Sequence, residues 1–251
     1  MMLIMFVSEE RIMFKAGTNR DGWFSTDDLL KQVENVIDIF KAKTNNFATG
    51  LFMFNSAPSH QKWAPDALTA RKMPKNPHAT WTGTKGGPKM QNGWYMKGTD
   101  KISQEFYFPD NHPEMPRWFK GMEIIIRECG LWPVTRSLNA QCEGFECISG
   151  QINCCSRRLL FSQPDFNLQK SHLEEYITSR GHICDFYPKY HCELNSIEQY
   201  WGAAKFRYRS SPLTSDINAM EKNALACLDD VPLLQIKRYD FISPLITDVL
   251  K

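Results

Sequence analysis

Two groups of residues in this 251-residue chain have the types and spacing for chemistry. The first is His191-Cys-Glu-Leu-Asn195-Ser-Ile-Glu198, which follows the apolar run Ile183-Cys-Asp-Phe-Tyr187 and the break at Pro188. A strand is expected to end there, a short loop to turn, and a helix to open with a carboxylate in its first turn. Such a place can hold a hard cation against a phosphate. The spacing of Asn195 and Glu198 is equally that of a capping box, and spacing alone leaves both readings open. The second group is Cys142, Cys147, Cys154 and Cys155, four thiols in one short stretch. Four thiolates around Zn²⁺ make a closed structural site. The spacing is not a paired Cys-x2-Cys pattern, so free buried thiols and a disulfide stay open beside zinc. Cys129, Cys184, Cys192 and Cys227 fall in apolar segments and are expected in the core.

A third feature is electrostatic. From Lys62 to Lys101 the basic residues are Lys62, Arg71, Lys72, Lys75, Lys85, Lys89, Lys97 and Lys101, against only Asp66 and Asp100. Trp63, Trp81, Trp94 and Tyr95 are interleaved. Cations for phosphates and aromatic faces for unstacked bases suit DNA contact. A solvated loop held down by aromatic anchors has the same composition. Arg157, Arg158, Lys205, Arg207 and Arg209 extend the basic set. Because the net charge is only +2, a nucleic-acid surface must be local.

The elements that position these groups follow from periodicity. Leu3 to Val7 and Arg11 to Lys15 read as a strand pair joined by Ser8-Glu-Glu10. Ser25 and Asp28 form a cap signature ahead of the helical stripe Leu29, Leu30, Val33, Val36, Ile37 and Phe40, ending near Lys43. Gly50 to Phe54 reads as a strand buried on both faces. Trp63 to Arg71 reads as a short helix, Gln104 to Phe108 as a strand, and Trp118 to Cys129 as a helix ending at Gly130. Helices are expected over Arg157 to Phe161 and Leu168 to Ser179, followed by a strand over Ile183 to Tyr187. Ile197, Trp201, Ala204 and Tyr208 give one apolar helical face. Ile217 to Leu228 and Leu233 to Tyr239 are read as closing helices. The expected class is α/β with mixed strand directions. With 42% hydrophobic residues, a substantial core is available. The apolar start lacks the basic flank of a secretory signal and is too short to span a membrane, which predicts an intracellular chain, nuclear or cytoplasmic, with reduced thiols.

Leu194-Asn-Ser-Ile-Glu198 followed by Trp201-Gly202 and Lys205 resembles the last catalytic block of the mariner-like DDE transposases. Further stretches resemble a fungal branch of that superfamily: Gly17-Thr-Asn-Arg-Asp-Gly-Trp-Phe24, Ala64-Pro-Asp-Ala-Leu68, Arg71-Lys-Met73, Cys154-Cys-Ser-Arg-Arg-Leu-Leu160 and Gln163-Pro-Asp-Phe166. The resemblance covers about Leu3 to Tyr239. It implies a ribonuclease-H-like mixed sheet flanked by helices, forming a single domain over 1–251. It also implies a long insertion over about 74–155, C-terminal helices over about 210–251, and an ancestral Mg²⁺- or Mn²⁺-dependent cutting and transfer of DNA. Glu198 then stands at the third metal-ligand position. Lys62, Arg71, Lys72, Lys75, Lys205 and Arg209 become the candidate DNA contacts.

Two departures from the family pattern weaken the implied site. The family's second aspartate closes a Phe-x-Phe-Asp-Asn pattern, whereas this chain reads Phe52-Met-Phe-Asn55. An amide oxygen can touch a cation but brings no charge, so cation binding and cleavage are expected to suffer severely. The family's first aspartate lies upstream of the strand matched by Leu3 to Val7, so the fold is expected without that first strand. Asp21 is a tempting substitute, yet aspartate in such a turn commonly bonds its own backbone. The expected function is therefore a transposon-derived DDE-type domain impaired in catalysis. The alternative is a domesticated DNA-binding or interaction protein with no metal chemistry. Oligomeric state is left open.

Overall fold

The structure is a computed structural model that describes residues 12, 14–189, 191, 195–232, 234 and 235. The strand expected at Leu3 to Val7, Arg11 and Met13 of the one at Arg11 to Lys15, and most of the helix at Leu233 to Tyr239 lie outside the described residues; Ile12, Phe14 and Lys15 are described and are not in a strand. The chain is α/β. It divides into two compact units, one comprising Met1–Lys62 with Leu173–Lys251 and the other Trp63–His172.

In the first unit, helix α1 spans Thr26–Lys43. Its start follows from local chemistry: the Ser25 hydroxyl accepts from the Asp28 N–H at 3.2 Å, and the Asp28 carboxylate accepts from the Ser25 N–H at 2.8 Å. The Ser25 hydroxyl, donating to the Asp28 carboxylate at 2.6 Å, and then the Ser25 N–H hold the Asp28 carboxyl below its usual range. Strand β1 (Leu51–Phe54) pairs in parallel with a strand of the same unit at Ile183–Phe186, in the register Leu51 to Ile183 and Phe54 to Phe186. Val33 and Ile37 of α1 pack with Leu173 and Ile177, against Phe52, Phe54 and Cys184 of the strand pair. The expectation that β1 is buried on both faces is corrected, since Leu51 is 43% exposed. Among the described residues its one strand neighbour is Ile183–Phe186.

His182 is buried in this core, edge-on to the Phe40 ring at 5.5 Å, and its Nδ1 accepts from the Gly50 N–H at 3.1 Å. Nε2 is buried with no partner among the described residues. Burial, reinforced by the charges of Lys41 and Arg180, lowers its pKa below the usual 6.5. A depressed histidine pKa means that the unfolded chain takes up the proton first. The stability contributed by neutral His182 is thus complete above the unfolded value and is lost as pH falls from there through the folded value. Between about pH 7.5 and pH 5.5, wild type is expected to lose more of its unfolding midpoint than His182→Gln, which keeps an acceptor but cannot be protonated. Equal losses in thermal melts would remove His182 from this role.

The second unit has its own core of Leu68, Met73, Phe106, Phe119, Ile125, Ile126, Leu160 and Phe166, among others. Strands β2 (Gly93–Lys97) and β3 (Asp100–Gln104) form an antiparallel hairpin. Helix α2 spans Met122–Glu128, α3 Ser156–Phe161 and α4 Pro164–Asn167. Leu68, Ala70, Leu159, Leu160 and Phe166, on either side of 74–155, belong to this one core. The short helix expected from Trp63 to Arg71 does not form. Tertiary partners take its backbone donors instead: Leu68 N–H goes to the Gln169 side chain at 2.9 Å and Thr69 N–H to the Met90 sulfur at 3.3 Å. The helix expected from Trp118 begins only at Met122, since Phe119 exchanges backbone bonds with His78 at 2.9 and 3.0 Å.

Back in the first unit, α5 (His172–Ser179, whose first residue belongs to the second unit) leads into β4 (Ile183–Phe186). Helices α6 (Ser196–Ser210) and α7 (Ile217–Asp229) follow. Tyr200 and Ala204 of α6 pack with Leu228 of α7 and with Val231 just beyond it, the Tyr200 hydroxyl donating to Leu228 O at 2.9 Å. The single apolar face read from Ile197, Trp201, Ala204 and Tyr208 is only partly realised: Tyr200 takes the central place, and Trp201 is 43% exposed. No described helix is long and apolar enough to cross a membrane.

Candidate functional site

Parallel pairing of β1 with β4 sets their carboxyl ends side by side. Tyr187 N–H donates to Phe54 O at 2.8 Å, and the Ser56 hydroxyl donates to Tyr187 O at 2.8 Å. The residues leaving these ends, Asn55 and Ser56 from β1 and Lys189 and His191 after β4, share one cavity of about 400 Å³ with Asn195 and Glu198 at the start of α6. Ligands in α/β sheets commonly bind outside such strand ends. Asn55 is fixed through its backbone carbonyl, which lies 2.9 Å from His60 Nδ1.

Asn195 caps α6 by accepting from Ile197 N–H at 3.4 Å. The reciprocal half of a capping box is not made: among the described residues no hydrogen bond or ion pair engages the Glu198 carboxylate. Sequence reasoning singled out Asn55, Glu198 and the stretch that opens at His191, but missed Lys189. Lys189 follows a strand and carries no motif, so only the strand pairing reveals it. Asp21 behaves as a turn residue, its carboxylate accepting from Lys15 N–H at 2.7 Å.

A two-cation centre needs several anionic oxygens converging. The described lining offers one carboxylate, Glu198, and two amides, Asn55 and the helix-capping Asn195, with the Lys189 ammonium on the same cavity. This donor set does not fit such a centre, and no catalytic step is derived through it.

The four cysteines behave differently. The sulfurs of Cys142, Cys147, Cys154 and Cys155 all lie within 4.8 Å of one another, and Cys147 and Cys155 are 4.0 Å apart. A tetrahedral zinc–sulfur site has sulfur–sulfur edges of ~3.8 Å, so the group is close to ligand geometry. It can hold a metal ion. All four are free thiols; Cys155 is buried and the others are half-buried. Hydrogen bonding with Cys154, then desolvation, pushes the Cys142 thiol up to about 12. Desolvation works against ionisation of Cys154, but its hydrogen bonds with Cys142, Cys147 and Cys155 outweigh it and lower its pKa. The scaffold is set by α3. Ser156 N–H donates to Asn139 O at 2.9 Å, and Cys155 caps the helix by accepting from Arg158 N–H at 3.4 Å. Cys129 lies apart from the cluster. Desolvation raises its pKa to about 11, and its thiol donates to Gln104 at 3.3 Å.

The expected DNA contacts belong to both units. Lys62 falls in the first unit, while Arg71 and Lys72 line a cavity of about 740 Å³ in the second with Trp81 and Lys85. Lys75 is committed structurally: it pairs with Glu123 at 3.7 Å, donates to Ser137 at 3.2 Å and sits 5.5 Å over the Trp132 ring. Lys205 and Arg209 share a helix with Glu198 but line a separate apolar cavity of about 410 Å³ with Trp201, Tyr208 and Leu228.

Fold and site together define an α/β chain with a four-cysteine centre able to hold a metal ion. Compared with known proteins, the chain matches no family model, no curated protein and no solved structure.

Proposed function

We propose that this chain is a transposon-derived, ribonuclease-H-like DDE-type domain that has lost efficient DNA cleavage, and that its four cysteines bind a structural Zn²⁺. The observation that carries the first part is the shared cavity of Asn55 and Glu198. These two residues were singled out by motif alone, come from distant parts of the chain, and stand at a strand end and a helix start. The unengaged Glu198 carboxylate is free to take a cation, while Asn55 supplies no charge to help it. Zinc is supported by the thiol geometry and by the all-sulfur donor set, which suits Zn²⁺ and not Mg²⁺.

The test is Mn²⁺ binding to the whole chain, measured without DNA after the cysteine site is filled with zinc. Wild type is expected to bind Mn²⁺ weakly and to show no Mg²⁺-dependent nicking of DNA. Asn55→Asp should tighten Mn²⁺ at least about tenfold, and Glu198→Gln should cancel that gain. Robust cleavage by wild type, or an Asn55→Asp chain with unchanged Mn²⁺ affinity, refutes the assignment.

A second reading, a DNA-binding protein without metal catalysis, is favoured by the basic cavity of Arg71, Lys72 and Lys85 beside Trp81. Its signature is a gel shift that weakens steeply with salt, and absence of any shift at low salt removes it.

A further inference from the structure

The cysteine cluster borders a cavity of about 310 Å³ whose lining includes Arg71, Arg157, Arg158, Phe145 and Phe161, with three of the four cysteines and no carboxylate. Arg157 is consumed by the fold, donating to Ala70 O at 3.1 Å, to Met73 O at 3.2 Å and to Gln141. Arg158 keeps most of its guanidinium available, since among the described residues only Nε is engaged, with Gln151 O at 3.2 Å. Among the described residues Arg71 makes no ion pair.

Phe145 is the unusual member. It lies between Cys142 and Cys147, adopts a φ of 65°, and is 77% exposed. Left-handed backbone is unfavourable for a bulky residue, and burial of the ring does not offset it here. Strain kept at an exposed aromatic is a pointer to function. Phe161, also on this cavity, is 50% exposed.

We propose that this cavity binds an unpaired base of single-stranded nucleic acid, with Phe145 stacking on the base and Arg71 and Arg158 holding the adjacent phosphates. Every base offers a face for stacking, and a duplex hides those faces. Guanidinium groups match phosphate oxygens in pairs. Two arginines with guanidinium groups to spare, Arg71 and Arg158, and no carboxylate on the lining favour an anionic ligand over an apolar protein partner. The inference rests on the metal reading, because a bound ion fixes Cys142 and Cys147 and so presents the loop that carries Phe145. It does not involve the Asn55 and Glu198 cavity.

The experiment uses the full chain, with zinc content read by mass spectrometry and binding by fluorescence anisotropy. The probe is a labelled thymidine oligomer of about 12 nucleotides, single-stranded or annealed to its complement. The single strand is expected to bind more tightly than the duplex. Phe145→Ala should weaken it about tenfold with zinc retained, and Arg71→Gln should lower the salt slope by about one. Equal affinity for strand and duplex, or a Phe145→Ala chain with wild-type affinity, overturns the proposal. So does self-association of the wild type in light scattering that Phe145→Ala abolishes while oligonucleotide binding stays intact, which marks a protein interface instead. A chain without zinc refutes the metal reading alone, and the Phe145→Ala comparison still decides the base contact.

Discussion

Cys155→Ser is expected to reduce bound zinc from about one ion per chain to nearly none, and to open the loop between Cys142 and Cys155. Serine at this position isolates the effect. Its hydroxyl can still accept from Arg158 N–H and cap α3, so the helix start survives while one thiolate is lost. Apolar packing does little to order the loop: Phe145, Ile148 and Ile152 are 77%, 66% and 58% exposed, and side-chain bonds to its backbone from Arg158, Ser162 and Arg136 reach only Gln151, Ile152 and Asn153. Its flanks are secure, because Leu138, Leu159 and Leu160 belong to the core of the second unit. The result should therefore be local opening with the unit still folded. Limited proteolysis within 143–153 should accelerate about ten- to a hundredfold, and chelation of the wild type should reproduce it. A Cys155→Ser chain that keeps its zinc and its protease resistance would show that the cluster holds no structural ion.

Gly121→Ala is expected to destabilise the second unit by about 3–5 kcal/mol. Gly121 has φ 85° and ψ 153°, a conformation essentially confined to glycine. An added Cβ would sit 2.5 Å from the Asn76 carbonyl carbon and 2.6 Å from Lys75 O. Those atoms are backbone and cannot rotate away. The same segment satisfies the start of α2, with Met122 N–H donating to Pro74 O at 3.0 Å and Glu123 N–H to Lys75 O at 3.1 Å. Relief of the clash therefore breaks the cap as well. The control is Gly202→Ala in α6, where a Cβ meets nothing within 4 Å and helix propensity favours alanine by about 0.5–1 kcal/mol. Denaturant melts should move in opposite directions for the two substitutions. A small loss at Gly121 would mean that 74–76 yields easily.

Legibility of the fold tracked the range of the interactions involved. Ser25 and Asp28 announce α1 because both halves of their cap are made within four residues. The hairpin of β2 and β3 was not anticipated. Trp94 and Ile102 do not alternate with polar residues in a clean pattern, and Asp165, far along the chain, holds β2 by accepting from Trp94 N–H at 3.1 Å. Trp63 to Arg71 looked helical because its alanines and Leu68 are good helix formers. Side-chain and sulfur acceptors from remote segments took the donors that a helix would have used.

The same division applies to the sites. The sequence by itself determined that four thiols share one short loop, that a cap signature opens α1, and that Asn55 brings no charge. These are matters of residue identity and of contacts a few positions apart. Only the tertiary structure decided that Asn55 and Glu198 line one cavity, that Glu198 does not close a capping box, and that Lys75 is spent on Glu123 and Trp132. The reason is physical: convergence depends on which strand ends pairing brings together, and availability depends on which partners folding delivers to each charge.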